Sequence, residues 1–247
     1  MGFTDAEGNF QVFPKVRKNK QTGAITSYGI GYHFHMGLHL QDIEILRSIQ
    51  NMLGGIGKIY EYPLKPEAHN AIYLQGELLW FLENVLLVYP LLTLYQISRF
   101  NKVKWGLMNK ITHFATLEDF HNAFNAQAAL AFIPNIGELS KVFVDSWIVG
   151  FINGEGCFST AHGETGASFT IMHTSKDALI LIRDRLGCKP NVLTDKLRDG
   201  RKQTYSLQIT TRVDLNKLIH FLDTNIPLQG NKYNQYQEWL IVHKLKQ

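Results

Sequence analysis

The chain has 247 residues, 45% of them hydrophobic, which is enough for a large core and excludes an intrinsically disordered chain. Its formal charge of +4 and pI of about 8.9 permit a polyanionic partner without requiring one. Two cysteines, Cys157 and Cys188, form neither a CxxC pair nor a disulfide framework, which fits a reducing, intracellular setting.

The chain opens on the phrase GFTDAEGNF, residues 2–10, with only Met1 before it. No signal or transit peptide is expected ahead of it. Its helix lacks a first turn and a cap, as truncation or the loss of an upstream fused segment would leave it. The segments NFQVFPKVRKNK and SYGIGYHFHMGL then flank a turn around Gly23 and read as a hairpin. Ile43, Leu46, Ile49 and Leu53 recur at helical spacing and stop at a glycine. A second hairpin ends in NAIYLQG. The most apolar stretch, residues 78–95, contains Glu83, Asn84 and Pro90, so it reads as a buried helix ending before Pro90 and not as a membrane span. A closing helix follows over YPLLTLYQISRFNKVKWGL. Residues 110–143 form a connection with a helix near 117–132, opened by a Thr116/Asp119 capping box.

A second copy of the phrase, GFINGEGCF, stands at residues 150–158, where Asp145 or Ser146 is expected to N-cap its helix. The segments CFSTA and SFTIMHTS make another hairpin around HGETG. Leu179, Ile182 and Leu186 mark another helix stopped by a glycine. A hairpin ending in QTYSLQITTR and a helix leading from IPLQGNKYNQYQEWLIVHKL complete the half. The order αββαββα therefore occurs twice, in halves 1–109 and 144–247 joined by 110–143. The fold class is mixed α/β, of the α+β type.

Within each phrase two small residues lie four apart, Gly2 with Ala6 and Gly150 with Gly154, on one helix face. Two such helices can approach backbone to backbone. Glutamate follows in both copies, Glu7 and Glu155, and then a helix-ending glycine, Gly8 and Gly156. Packing the helices brings two carboxylates together at negative dipole ends, an arrangement a shared hard divalent cation would stabilise. A single copy would read as a helix cap; two copies with matching hairpins read as a site. A glycosidase with paired carboxylates needs an aromatic sugar cleft, whereas polar, basic strands follow each glutamate here.

These two phrases resemble the paired motifs of single-chain LAGLIDADG homing endonucleases, and the likeness extends through both proline-led closing helices. The resemblance implies two pseudo-twofold-related halves, with motif helices packed at the interface and two antiparallel sheets forming a saddle over double-stranded DNA. It implies a monomer that makes a metal-dependent double-strand break in a long non-palindromic target. Mg2+ is the expected ion; Mn2+ would substitute, and Ca2+ would support binding with poor cleavage. By position, Glu7 and Glu155 would bind metal, with the carbonyls of Ala6 and Gly154. Lys232 would be the basic residue near the scissile phosphate, matched in the first half by Tyr95. His173 would orient water, matched by Leu38 with His39 beside it. Members encoded in introns imply a mitochondrial location, and maturases of the same fold leave intron RNA as an alternative partner.

Strand alternation assigns the DNA-facing residues. In the first hairpin these are Asn9, Gln11, Phe13, Lys15 and Arg17, opposite a core face of Phe10, Val12 and Val16, with Lys18, Asn19 and Lys20 at the tip. Pro14 marks an edge or a bulge, and Gly29 and Gly31 thin the return strand's readout. His33 and His35 follow on that strand, then Lys58, Tyr60, Tyr62, Tyr73 and Gln75. The second half offers Ser159, Ser168, Thr170, Thr204, Ser206, Gln208 and Thr210. A basic loop at 196–202 adds Lys196, Arg198, Arg201 and Lys202.

Overall fold

The computed structural model describes residues 1–62, 64, 66–72, 75–160, 166–197 and 199–245, without the side chains of Asn70 and Leu245. Helix α1 (Gly2–Glu7) opens the chain. The chain divides into two compact units, Glu7–Pro134 and Met1–Ala6 with Asn135–Gln247, so most of α1 groups with the later part of the chain.

In the unit from Glu7, β1 (Gly8–Lys18) and β2 (Ile25–His39) form a hairpin in register from Gly8 opposite Met36. Its tip closes on Asn19, whose Oδ1 accepts from the N–H groups of Gln21 and Thr22 at 2.8 and 3.0 Å. Helix α2 (Ile43–Met52), β3 (Lys58–Tyr62) and β4 (Glu67–Ile72) follow. The sheet order is β1-β2-β4-β3, so Pro14 sits in an edge strand, where its missing N–H breaks no ladder bond. Helix α3 (Gln75–Phe81) passes into a π-helical turn, Leu82–Leu86, which ends before Pro90. Helix α4 (Leu94–Met108), β5 (His113–Phe114) and α5 (Leu117–Ala129) complete the unit, and β5 pairs with β2.

One face of this sheet is core. Phe10, Tyr32, Phe34, Met36 and Ile72 are buried there, with Phe34 tilted against both Phe10 and Phe81 at centroid distances of 4.7 and 5.2 Å. Burial falls off along β1 toward the hairpin tip, so Val16 is 52% exposed and does not join the core its alternation suggests. Thr116 Oγ1 accepts from Asp119 N–H at 3.0 Å, the cap read from the sequence. Helix α5 docks on α4 through Phe124, edge-on to Trp105.

In the other unit, α6 (Lys141–Glu155) begins earlier than the sequence indicates. Ser140 is its N-cap, accepting from Phe143 N–H at 3.2 Å. Asp145 is instead inside the helix, buried, and paired with Arg185 at 2.5 and 2.8 Å. Strands β6 (Gly156–Ser159) and β7 (Ser168–His173), helix α7 (Lys176–Leu186), strands β8 (Leu193–Thr194) and β9 (Tyr205–Ile209), and helices α8 (Arg212–Thr224) and α9 (Gly230–Leu245) follow. The sheet order is β6-β7-β9-β8. Phe169, Ile171, Leu207 and Ile209 face the helices and are fully buried, as is Trp239, which donates to the Ser168 carbonyl at 3.0 Å. Among the described residues no helix is long and apolar enough to cross a membrane.

Residues 1–6 pack on α6 by close backbone approach. A Cβ at Gly2 would overlap the Trp147 carbonyl, and one at Gly150 would lie 2.9 Å from the Phe3 nitrogen. Small residues are required at this crossing, as the spacing in both phrases indicates. Trp147 Nε1 donates to Asp5 Oδ2 at 2.8 Å and fixes the buried acid of the first phrase.

Candidate active site and nucleic-acid interface

Each phrase places its glutamate at the end of a helix and its glycine at the start of a strand. Glu7 and Glu155 are both half-buried. The carbonyl of the glycine that follows is held in the same way in both units. Gln96 Nε2 donates to the Gly8 oxygen at 2.6 Å, and Lys232 Nζ donates to the Gly156 oxygen at 2.5 Å. Gln96 and Lys232 are each the third residue of their helix, α4 and α9. The structural counterpart of Lys232 is therefore Gln96 and not Tyr95. The displacement arises because the run from Pro90 to Leu94 is one residue longer than that from Pro227 to Gly230. Tyr95 instead serves Arg99, accepting from Nη1 at 2.8 Å with the guanidinium 5.2 Å from its ring centre.

Among the described residues no three His, Cys, Asp or Glu side chains gather as a metal site. A cation at either glutamate would draw its other ligands from backbone carbonyls, water or a substrate phosphate. Carboxylate and carbonyl oxygens at the negative end of a helix suit a hard divalent ion.

His173 keeps its register equivalence to Leu38, since Gly156 pairs with Ile171 and Gly8 with Met36. It lies on the core face with Phe169 and Ile171, edge-on to Phe151 at 5.0 Å, and its Nδ1 accepts from Ser175 N–H at 3.0 Å. Burial lowers its pKa to about 4, so the ring is neutral at neutral pH. His39 Nδ1 accepts from Gln41 N–H at 3.3 Å, opening a short 3-10 turn.

The outer face of the first sheet carries Asn9, Gln11, Phe13, Lys15 and Arg17 from β1, His33 and His35 from β2, and Lys58, Tyr60 and Tyr62 from β3, as alternation predicts. Lys18 is exposed at the hairpin tip, and the Asn19 oxygen is used by the turn. Gln75 is exposed but opens α3, because β4 ends at Ile72; Tyr73 lies outside the described residues. Two side chains join this face that sequence reading missed. His69 stacks on His35 at 5.8 Å and meets Tyr62 edge-on at 5.2 Å. Arg99 donates to the Phe10 carbonyl at 2.9 Å and to Asn9 Oδ1. Parity along β4 could have found His69; nothing local to Arg99 marks its reach to β1.

The glycines of β2 are spaces filled from neighbouring strands. A Cβ at Gly29 would lie 2.7 Å from Arg17 Nε, one at Gly31 would overlap the Phe13 ring, and one at Gly37 would lie 3.1 Å from His69 Nε2. Asn9 Nδ2 contacts His35 Nε2 at 3.0 Å, and His35 Nδ1 contacts His33 Nε2 at 3.2 Å. The consistent assignment is a relay in which Arg99 donates to Asn9, Asn9 to His35, and His35 to His33. Burial first, then His33, His69 and Arg99, lowers the His35 pKa to about 4; burial, Arg99 and Lys15 lower that of His33. Both rings are neutral hydrogen-bonding groups at neutral pH.

The outer face of the second sheet carries Ser159, Thr170, Ser206 and Gln208, together with Cys157, Met172 and Leu193, which the polar pattern passed over. Ser168 shares this register but is 2% exposed, because β7 is covered at its start; it is not an open reader. Thr204 and Thr210 flank β9 and are half-buried. Lys196, Arg201 and Lys202 are exposed in the loop joining β8 to β9, and Arg198 lies outside the described residues.

The family model described as "LAGLIDADG endonuclease" matches residues 1–104 and 148–243. The chain is 24% identical over 274 residues to the Neurospora crassa protein "Probable intron-encoded endonuclease 3", covering 99% of this chain and 49% of that protein. It therefore spans about half the length of that relative. It is 22% identical over 251 residues to the Dictyostelium citrinum protein "Probable intron-encoded endonuclease aI3", covering 97% of this chain and 91% of the relative. Among solved structures, the LAGLIDADG homing endonuclease I-GzeII in complex with its DNA target is similar in fold, with a TM-score of 0.72 and 21% identity over 99% of this chain and 88% of that one. With both repeats matched and this architecture shared, the chain belongs to the LAGLIDADG endonuclease family.

Proposed function

We propose that the chain is a divalent-metal-dependent DNA endonuclease, acting as a monomer to cut both strands of a long, non-palindromic duplex site. The observation that carries this reading is the repeated end-of-helix arrangement: a motif glutamate, then a glycine carbonyl held by the third residue of a closing helix, at Gly8 and again at Gly156.

Glu7 and Glu155, with the carbonyls of Ala6 and Gly154, would hold Mg2+ or Mn2+. Bound there, such an ion would supply charge neutralisation at phosphate and would acidify a water. Lys232 contributes fixed positive charge beside the reacting phosphate, and Gln96 contributes a neutral donor at the equivalent place. The dissimilar outer faces of the two sheets support a non-palindromic target, since twofold symmetry would require like residues. The naming of relatives as intron-encoded supports an intron-borne gene, and we place the protein in mitochondria on that family pattern.

The test is selection of cleavable sites from a randomised duplex library with Mg2+, repeated with Glu7→Gln and Glu155→Gln. The wild type should yield one asymmetric site. Each variant should bind that site and fail to make the double-strand break, and Ca2+ should support binding with little cutting. Cutting by Glu7→Gln at the wild-type rate would refute the assignment.

A further inference from the structure

We infer that the half-site lying against β6–β9 is read through thymine methyl groups, chiefly by Met172 and Leu193. This rests on the DNA-cutting reading above.

The strand register defines two rungs on the outer face of this sheet. Cys157, Thr170 and Gln208 form one; Met172, Ser206 and Leu193 form the next. Met172 and Leu193 are 53% and 58% exposed, Met172 on a strand whose other face buries Phe169 and Ile171. Ser206, between them, turns its hydroxyl to Asp195 at 2.8 Å and leaves the rung apolar. Gln208 is the one long amide on these rungs. The corresponding face of β1–β4 carries amide, imidazole, ammonium and guanidinium groups among the rings of Phe13, Tyr60 and Tyr62, and, among the described residues, no exposed aliphatic pair of this kind.

Large apolar side chains held out on a sheet face mark a contact surface. Two features select duplex DNA as the occupant. The patch is continuous with the loop joining β8 to β9, whose exposed Lys196, Arg201 and Lys202 suit phosphates and would repel a second copy of the chain. In the major groove, the thymine C5-methyl is the apolar feature that distinguishes one base pair from another. Met and Leu have no hydrogen bond to offer a base edge, so methyl contact is the chemistry left to this rung.

The experiment uses the duplex obtained by selection, held uncut in Ca2+, with halves assigned by repeating the selection with Gln11→Ala, which should relax positions only in the half facing β1. Thymine is then replaced by deoxyuridine one half at a time, removing methyls while leaving every base-pair hydrogen bond. The β6–β9 half should contain thymines over the patch, and each contacted one should cost about fourfold in affinity on replacement. Met172→Gln or Leu193→Gln, both exposed and safe for folding, should bind thymine and uracil duplexes alike at the position each side chain covers. Equal uracil costs in both halves, no cost in either, or a cost undiminished in both variants would overturn the inference. Failure of the library to yield any bound duplex would overturn the nuclease reading itself, before uracil is tried.

Discussion

Replacing Gln96 by Lys should bring the two strand cuts toward equal rates, and replacing Lys232 by Gln should slow the cut that the wild type makes first. Both side chains donate to the carbonyl after a motif glutamate, at 2.6 and 2.5 Å, so the exchange alters charge far more than position. A unit charge about 6 Å from a developing phosphate charge, at an effective dielectric of about 20, is worth about 3 kcal/mol. The charge of the proposed metal would offset part of this, leaving about 1.5 kcal/mol, roughly tenfold in rate. The wild type should therefore accumulate nicked plasmid, cut first on the strand served by Lys232. The double exchange should reverse the order. A supercoiled-plasmid time course, with each strand end-labelled in a matching duplex, separates the cuts. Gln96 is only 3% exposed, so a lysine there gives up hydration; Lys232→Gln, at a half-exposed position, carries the test if the first variant is unstable. Equal wild-type rates, or an unchanged order in the double exchange, would refute the electrostatic reasoning.

Gly150→Ala should destabilise the protein by about 1–3 kcal/mol in urea unfolding, since its methyl meets the Phe3 backbone nitrogen at 2.9 Å and backbone cannot swing aside. Log affinity for the selected duplex should fall linearly with log salt, and Lys18→Ala or Lys202→Ala should each make the slope shallower by about 0.9 if that side chain meets a phosphate. His173 is neutral in both native and unfolded states above about pH 6.5, so it adds no pH dependence there. Below that, the unfolded chain takes up the proton first, and stability should fall until the native pKa of about 4 is reached. The loss is on the order of 2 kcal/mol after discounting for partial exposure. His173→Leu, which copies Leu38, should make that fall shallower by the share of this ring and leave the shares of His33 and His35 in place.

The repeat carried most of the architecture in legible form. Two short phrases, each followed by alternation and then by a 3.6-residue period, determine both sheets and the helices that cover them. What alternation cannot supply is reach. His33 and His35 are visible from their own strand, but the relay from Arg99 through Asn9 depends on a helix some ninety positions away in sequence. Counting from proline matched Lys232 to Tyr95, because a turn can lengthen by one residue without disturbing the helix after it. Asp145 resembles a cap by residue type, yet Ser140 begins the helix and Asp145 is taken by Arg185. Polarity alone does not mark an outer face: Met172 and Leu193 lie on one by register.

The assignment of Met1–Ala6 to the unit formed by residues 135–247 has a consequence for how the molecule is made. The first helix leaves the ribosome long before α6 exists to receive it. The unit from Glu7 can gather its strands during synthesis, while the other must wait to recapture a segment made well before it. Closing so long a loop is slow, and the waiting surface of α6 around Gly150 is where a stray chain could bind meanwhile. A break in the backbone near residue 134 would thus not yield two self-sufficient pieces. The later fragment would need the opening residues returned to it on the earlier one, so it should regain its structure only when the two are mixed.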